Sequence, residues 1–203
     1  MQQGVTKIEP ILIASKNPSK IKWIKSLLQA IGLKGVSFEE AGVPQLTIRE
    51  TGRTPEENAL KKASAYQQAT GMTTLGDDSG MEIDALNGKP GVSVRRWGGL
   101  FSDEIEDEAW LKFFLEQVKE VPKERRTGRY ITAWAIVRQD GASFVKRVET
   151  PFRYATHQLR PIPPGWPMDA VTESMEEEDE VFYRKIVAWI KEEKILPVVT
   201  KRG

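Results

Sequence analysis

Apolar positions in the first third of the chain alternate between two spacings. Residues 10–15 form a short apolar run, the pattern of a buried strand. After a polar turn, Ile21, Ile24, Leu27, Leu28 and Ile31 recur at helical spacing. Asn17 stands where a helix takes its N-cap, Pro18 where a first helical residue tolerates proline, and Gly32 where a helix can stop. A second strand is expected over residues 36–40. Thr54-Pro55-Glu56-Glu57 combines an N-cap, a proline at the first helical position and a glutamate at the third, which predicts a helix opened by a capping box and running to about residue 70. Residues 73–76 read as a strand that ends at Asp77-Asp78-Ser79-Gly80, with a further extended piece at 81–83 and a turn-rich loop at 87–91.

Helical spacing returns over residues 103–119, where Ile105, Ala109, Trp110, Phe113, Phe114 and Val118 share a face. From Arg129 the pattern is β: strands over 130–138 and 142–156 are separated by Asp140-Gly141, a hairpin dipeptide. A proline-rich connector occupies 161–167, an acidic run over 173–180 reads as a solvated face, and 181–193 is helical in spacing at Val181, Ile186, Ala188, Trp189 and Ile190. Strands alternating with helices, plus one hairpin, predict an α/β (mixed α+β) fold built on a mixed sheet. There is no internal repeat and no evident linker, so the 203 residues are expected to form one domain with a substantial core.

Composition removes several chemistries. With no cysteine, the chain has no disulfide, thiolate metal ligand or cysteine nucleophile, and His157 is the sole histidine, so multi-histidine metal sites cannot be built. A net charge of +1 gives no broad field for a nucleic-acid polymer or a membrane surface. No apolar run approaches the ~20 residues of a membrane span, and the polar first residues lack a signal-peptide core. A soluble, cytoplasmic protein is expected.

Three constellations remain. Ser15-Lys16-Asn17-Pro18-Ser19-Lys20 lies at a strand-to-helix turn, where backbone N–H groups and the helix dipole favour an anion and Lys20 adds charge; a plain capped helix is the alternative. Asp77 and Asp78 place two carboxylates side by side, hard oxygen ligands of the kind Mg²⁺ takes, although such a pair is also common in ordinary turns. Glu50 is a third acidic candidate. On the helix that follows, Asn58 and Lys62 are four residues apart and share a face, whereas Lys61 is four from Glu57 and reads as its surface partner. Together these are parts for metal-assisted phosphate chemistry.

In order and wording, three stretches resemble the inosine triphosphate pyrophosphatase family: 13–20; Glu50-Thr51-Gly52 with 57–63; and 77–83 continuing through Gly88-Lys89-Pro90-Gly91-Val92. The resemblance implies an elongated twisted mixed sheet with flanking helices, two lobes around a central cleft and commonly a homodimer. It also implies Mg²⁺-dependent cleavage of deaminated purine triphosphates such as ITP and XTP to the monophosphate and pyrophosphate. On it, Ser15, Asn17 and Lys20 hold the triphosphate, with Asn58, Lys62 and Ser79 completing the substrate site. Glu50 and Asp78 bind Mg²⁺ with Asp77 beside them, and Asp78 is the general base. Arg96 matches an arginine after the glycine-rich loop.

The family pattern breaks where the base is read. Its aromatic-Asp-Pro stretch corresponds here to Gly165-Trp166-Pro167-Met168-Asp169, with the aspartate displaced, and its Ser-His-Arg motif to Phe182-Tyr183-Arg184. Trp166 and Arg184 remain as base-side candidates. Two alternatives therefore stand beside a purine pyrophosphatase: the same chemistry on a different or modified nucleotide, and a nucleotide-binding protein without turnover.

Overall fold

The structure, a computed structural model, describes residues 9–175, 178–193 and 195. Its seven-stranded sheet is mixed. β1 (Ile11–Ala14) runs parallel to β2 (Gly35–Val36) and to β3 (Thr74–Ile83), β3 pairs antiparallel with β4 (Pro90–Gly91), and β6 (Ser143–Tyr154) pairs antiparallel with β7 (Thr172–Met175). With β5 (Thr127–Val137) the strand order is β2-β1-β3-β5-β6-β7, and β4 lies on β3. The helices are α1 (Pro18–Ala30), α2 (Phe38–Ala41), α3 (Pro55–Thr70), α4 (Asp107–Val118) and α5 (Glu178–Glu192). The predicted α/β class with a mixed sheet is the observed one. No described helix is long and apolar enough to cross a membrane.

The chain divides into two compact units, the first comprising residues 1–78, 133–147 and 183–203. Within it every residue of β1 is buried, as the apolar run requires. α3 lays its small face, Ala59 and Ala63, on Ala133, Ala135 and Val137 of β5, while Trp134 meets Trp23 of α1 edge-on with ring centroids 6.1 Å apart. Because successive strand residues point to opposite faces, α1 and α3 cover opposite faces of β5. The approach of α3 to β3 is close enough to exclude a side chain at Gly76, where a Cβ would stand 2.1 Å from the Ala59 carbonyl oxygen and 2.9 Å from the Ala63 nitrogen. We therefore expect Gly76→Ala to lower stability by at least about 2 kcal/mol, the scale of an overpacked core, measurable as a lowered thermal midpoint.

The second unit comprises residues 79–132 and 148–182. Its core is aromatic: Trp110 stacks on Phe114, Phe114 meets Tyr154 edge-on, and the buried Trp110 indole donates to the Val94 carbonyl at 3.0 Å. Of the predicted face, Trp110, Phe114 and Val118 are buried here with Ile105 and Phe113 packed against them, whereas Ala109 is exposed and Ile105 precedes the helix.

Several expectations are corrected. Residues 36–40 are not one strand: β2 stops at Val36, and Ser37 and Glu40 form a reciprocal capping box that opens α2, whose Phe38 stacks on Tyr66 at 4.4 Å. β3 does not end at Asp77; it runs unbroken to Ile83, and Gly76 serves the close packing of α3. α4 starts at Asp107 rather than residue 103, because Arg95 captures the Ile105 carbonyl and Arg96 pairs with Asp103. The acidic run divides between two elements, Glu173 and Ser174 being exposed on β7 and α5 beginning at Glu178; residues 176–177 and the side chains of residues 175 and 178–183, Val181 among them, lie outside the described set.

Candidate active site

β3 carries the two neighbouring aspartates in mid-strand, so alternation sends them to opposite faces. Asp77, 3% exposed, meets α1, where Lys20 Nζ lies 2.7 Å from Oδ1. Asp78 meets α3. Its Oδ1 is 3.1 Å from Lys62 Nζ, and its Oδ2 accepts from Asn58 Nδ2 at 3.0 Å. The same Lys62 ammonium lies 3.0 Å from Glu50 Oε1. Glu50, Asn58, Lys62 and Asp78 are thus brought together, and Asp77 is held apart from them with Lys20.

Local sequence builds this arrangement. Thr54 accepts from the Glu57 N–H at 3.3 Å and Pro55 fills the first position, which fixes where α3 begins. Glu57 answers on the Arg53 N–H at 2.7 Å, one residue earlier than a strict capping box. Asn58, one turn in and 3% exposed, accepts from the Gly52 N–H at 2.7 Å through Oδ1, so one carboxamide ties the loop after Glu50 to Asp78. Gly52 has to be glycine, since a Cβ would lie 2.5 Å from Asn58 Oδ1. Lys62 follows one turn later on the same face. Lys61, expected to pair with Glu57, bonds instead to the Thr51 hydroxyl.

The electrostatics follow from burial. Burial alone would lower the Lys62 pKa, but Asp78 and Glu50 outweigh it and hold the ammonium above its ordinary value. Burial moves Asp78 the other way for a carboxylate, upward, against the pull of Lys62 and Asn58, with Glu50 adding to the rise. One cation serves two carboxylates, so it is the better satisfied partner. A carboxylate raised toward neutrality is a better general base than one fixed at the usual value.

Two carboxylates whose oxygens reach one ammonium can also reach one metal ion. Among the described residues no group of three or more His, Cys, Asp or Glu gathers to hold a metal. That donor set fits Mg²⁺, which takes one or two protein carboxylates and completes its shell with phosphate oxygens and water.

The other nominated residues are placed as follows. At α1 the Ser19 and Lys20 N–H groups donate to Asn17 Oδ1 at 2.9 and 3.2 Å, so the helix start is capped by its own side chain, while Ser15 Oγ accepts from the Asn17 N–H at 3.2 Å. Ser79 follows Asp78 and is exposed. Arg96 lies 3.6 Å from Asp103, Trp166 is 58% exposed, and Arg184 is exposed on α5. Within the second unit a concavity of about 470 Å³ contains none of the nominated residues. Its Arg129 is neutralised by Glu82, Asp84 and Glu149, which leaves it unsuited to a triphosphate.

A model of the Ham1 family matches residues 11–151. A dITP/XTP pyrophosphatase of Nocardia farcinica is 41% identical over 143 residues, covering 70% of this chain and 68% of that protein. One of Mycolicibacterium paratuberculosis is 40% identical over 151 residues, covering 73% and 72%. Among solved structures, a nucleoside-triphosphatase / dITP/XTP pyrophosphatase of Mycobacterium abscessus superposes with a TM-score of 0.66 at 29% identity, covering 92% of this chain and 96% of that one. The Ham1 protein of Staphylococcus aureus gives a TM-score of 0.75 at 23% identity, covering 91% and 100%, a likeness of fold. Glu50, Asn58, Lys62, Asp77 and Asp78 fall inside the family match, and Trp166, Asp169 and Arg184 fall beyond it.

Proposed function

The chain belongs to the Ham1 family, and from that premise we propose that it is a nucleoside triphosphate pyrophosphatase, hydrolysing deaminated purine nucleotides such as ITP, XTP and dITP to the monophosphate and pyrophosphate. The observation that carries the reading is the convergence of Glu50 and Asp78 on one partly buried cation, with Asn58 fixing the second oxygen of Asp78. The names of the relatives supply the substrate class.

Glu50 and Asp78 would hold Mg²⁺, which when bound supplies positive charge to the phosphate oxygens. Asp78, oriented by Asn58, takes the proton of the attacking water. The water oxygen bonds to the α-phosphorus, the bond from that phosphorus to the bridging oxygen of the β-phosphate breaks, and pyrophosphate leaves. Lys62 and Lys20 balance the charge that grows on the leaving group. Ser15 and Ser79 contribute hydroxyls to the triphosphate. Asn17, whose oxygen caps α1 through the Ser19 and Lys20 N–H groups, turns its NH2 group to the triphosphate, and Asn58 acts through Asp78 and the Gly52 N–H. Asp77 keeps Lys20 in place. Residues 1–203 act as one catalytic domain, as a homodimer in the cytoplasm, with no nucleic-acid polymer or membrane as partner; light scattering of the purified protein tests the dimer.

Removal of the metal provides a direct check on the cofactor. Chelation with EDTA is expected to abolish pyrophosphate release from ITP, and excess Mg²⁺ to restore it; full activity in EDTA would remove the metal from the mechanism. The departure of residues 165–169 and 182–184 from the family pattern favours a second reading, the same chemistry on another base. Comparing kcat/KM for ITP, XTP and dITP with that for the common triphosphates decides between them. A preference for a common triphosphate would install the second reading.

A further inference from the structure

The loop ahead of α3 runs back along the helix in reverse register. The Arg53 N–H donates to Glu57, the Gly52 N–H to Asn58, the Lys61 ammonium to the Thr51 hydroxyl and the Lys62 ammonium to Glu50, so loop residues 53, 52, 51 and 50 meet helix residues 57, 58, 61 and 62. The first two contacts satisfy loop N–H groups, as backbone next to a buried side chain requires. The fourth belongs to the carboxylate pair. The third does neither: Thr51 and Lys61 are both exposed, where water could serve each of them. Glu57, the residue one turn back that would ordinarily take the lysine, is turned to Arg53 instead.

Thr51 closes a turn around Glu50. Its N–H donates to the Arg49 carbonyl at 3.0 Å, the bond of a three-residue turn with Glu50 at the centre. Upstream, the Leu46 N–H donates to the Tyr66 hydroxyl at 2.7 Å, so α3 holds the segment at both ends. Lys62 cannot be what keeps Glu50 in place once a metal ion arrives. Its ammonium lies 3.0 Å from Glu50 and 3.1 Å from Asp78, and an ion drawn to both carboxylates competes with it. The Lys61 contact involves neither carboxylate and persists when Lys62 gives way. A ligand held in place beforehand loses less freedom on binding.

We propose that Lys61 is a positioning residue for Glu50: by holding Thr51 it keeps the Glu50 turn in reach of an ion shared with Asp78 when Lys62 yields to that ion. This rests on the metal-dependent reading above and gives the adjacent lysines separate tasks, Lys62 on the carboxylates and Lys61 on the turn that presents one of them.

The test is calorimetry of Mn²⁺ binding to the nucleotide-free full chain, carrying Lys61→Met, Thr51→Val, the pair, or Thr51→Ser. Lys61→Met removes a positive charge near the site, which by charge alone would tighten cation binding. Loss of positioning has the opposite sign: affinity is expected to fall about five- to tenfold, near the low end of what removing an outer-shell partner costs. Thr51→Val, which keeps the branched shape and changes no charge, should weaken binding equally, and the pair no more than either, because residues acting through one contact are not additive. Thr51→Ser keeps the hydroxyl and should keep the affinity. In ITP hydrolysis the Mg²⁺ concentration for half-maximal rate should rise by the same factor in the two weakened variants, with kcat at saturating Mg²⁺ within about twofold. Unchanged or tighter Mn²⁺ binding in Lys61→Met would overturn the proposal, as would multiplying losses in the pair or a serine variant as weak as the valine one. Should one variant not fold, the substitution at the other end of the contact decides. The expected Mn²⁺ pattern without ITP hydrolysis would remove the pyrophosphatase reading and leave the support of Glu50 standing, whereas no Mn²⁺ binding by the unaltered protein would remove both the metal and the role given to Lys61.

Discussion

Asp78→Asn is expected to lower pyrophosphate release by about 10²–10⁴-fold, the range supplied by a positioned general base. The substitution keeps the shape of the side chain and removes its capacity to take a proton. The surroundings tolerate it: burial already disfavours the charged form of Asp78, and Lys62 keeps Glu50 as a partner. The thermal midpoint should therefore move far less than the rate. Product assays beside thermal unfolding separate the two, and a variant retaining more than about a tenth of the turnover would show that the base lies elsewhere.

Lys62→Met is expected to act in two opposite directions. Turnover should fall by about 10²–10³-fold, the cost of removing one preorganised group that stabilises developing charge. Metal binding to the nucleotide-free protein should tighten, because the ammonium lies 3.0 Å from Glu50 and 3.1 Å from Asp78, where a cation bound by both carboxylates would compete with it. Two unit charges near 4 Å attract by about 4 kcal/mol at an effective dielectric of 20, so loss of the competing charge allows a gain of about tenfold or more in Mn²⁺ affinity. In the unaltered protein, phosphates would draw Lys62 aside, so that metal and nucleotide favour one another. Without metal the variant carries two carboxylates lacking their cation and should be less stable, and added Mn²⁺ should raise its thermal midpoint by mass action. Calorimetry of Mn²⁺ alone reads the first effect. Equal affinity in the two proteins would show that Lys62 does not occupy the metal position.

The local signals legible in the sequence were those that short-range chemistry sets. The Thr54 cap and Pro55 place the start of α3 correctly, and helical spacing chose Lys62 over Lys61 as the inward lysine. The hairpin at Asp140-Gly141 closes with the Arg138 N–H donating to the Ala142 carbonyl and the Gly141 N–H to the Arg138 carbonyl. Features set by tertiary neighbours were not legible. Gly76 beside two aspartates reads as a strand end, but the glycine answers to a helix passing 2.1 Å from where its Cβ would be, and the strand continues. That continuation separates Asp77 from Asp78 by face, which a turn would not have done. Ser37 and Glu40 hold a capping signature inside residues read as strand, a signal that could have been found. Asp107 carried no such signal, since an acidic residue in a first helical turn looks the same whether it serves the dipole or binds Gly165 and Arg95.

The most direct test of the central claim is hydrolysis of ITP in ¹⁸O-labelled water, with the products separated and weighed by mass spectrometry. Attack at the α-phosphorus predicts one labelled oxygen in the inosine monophosphate and none in the pyrophosphate. Label in the pyrophosphate, or release of inosine diphosphate with inorganic phosphate, would contradict the mechanism assigned to Asp78, Lys62 and Glu50.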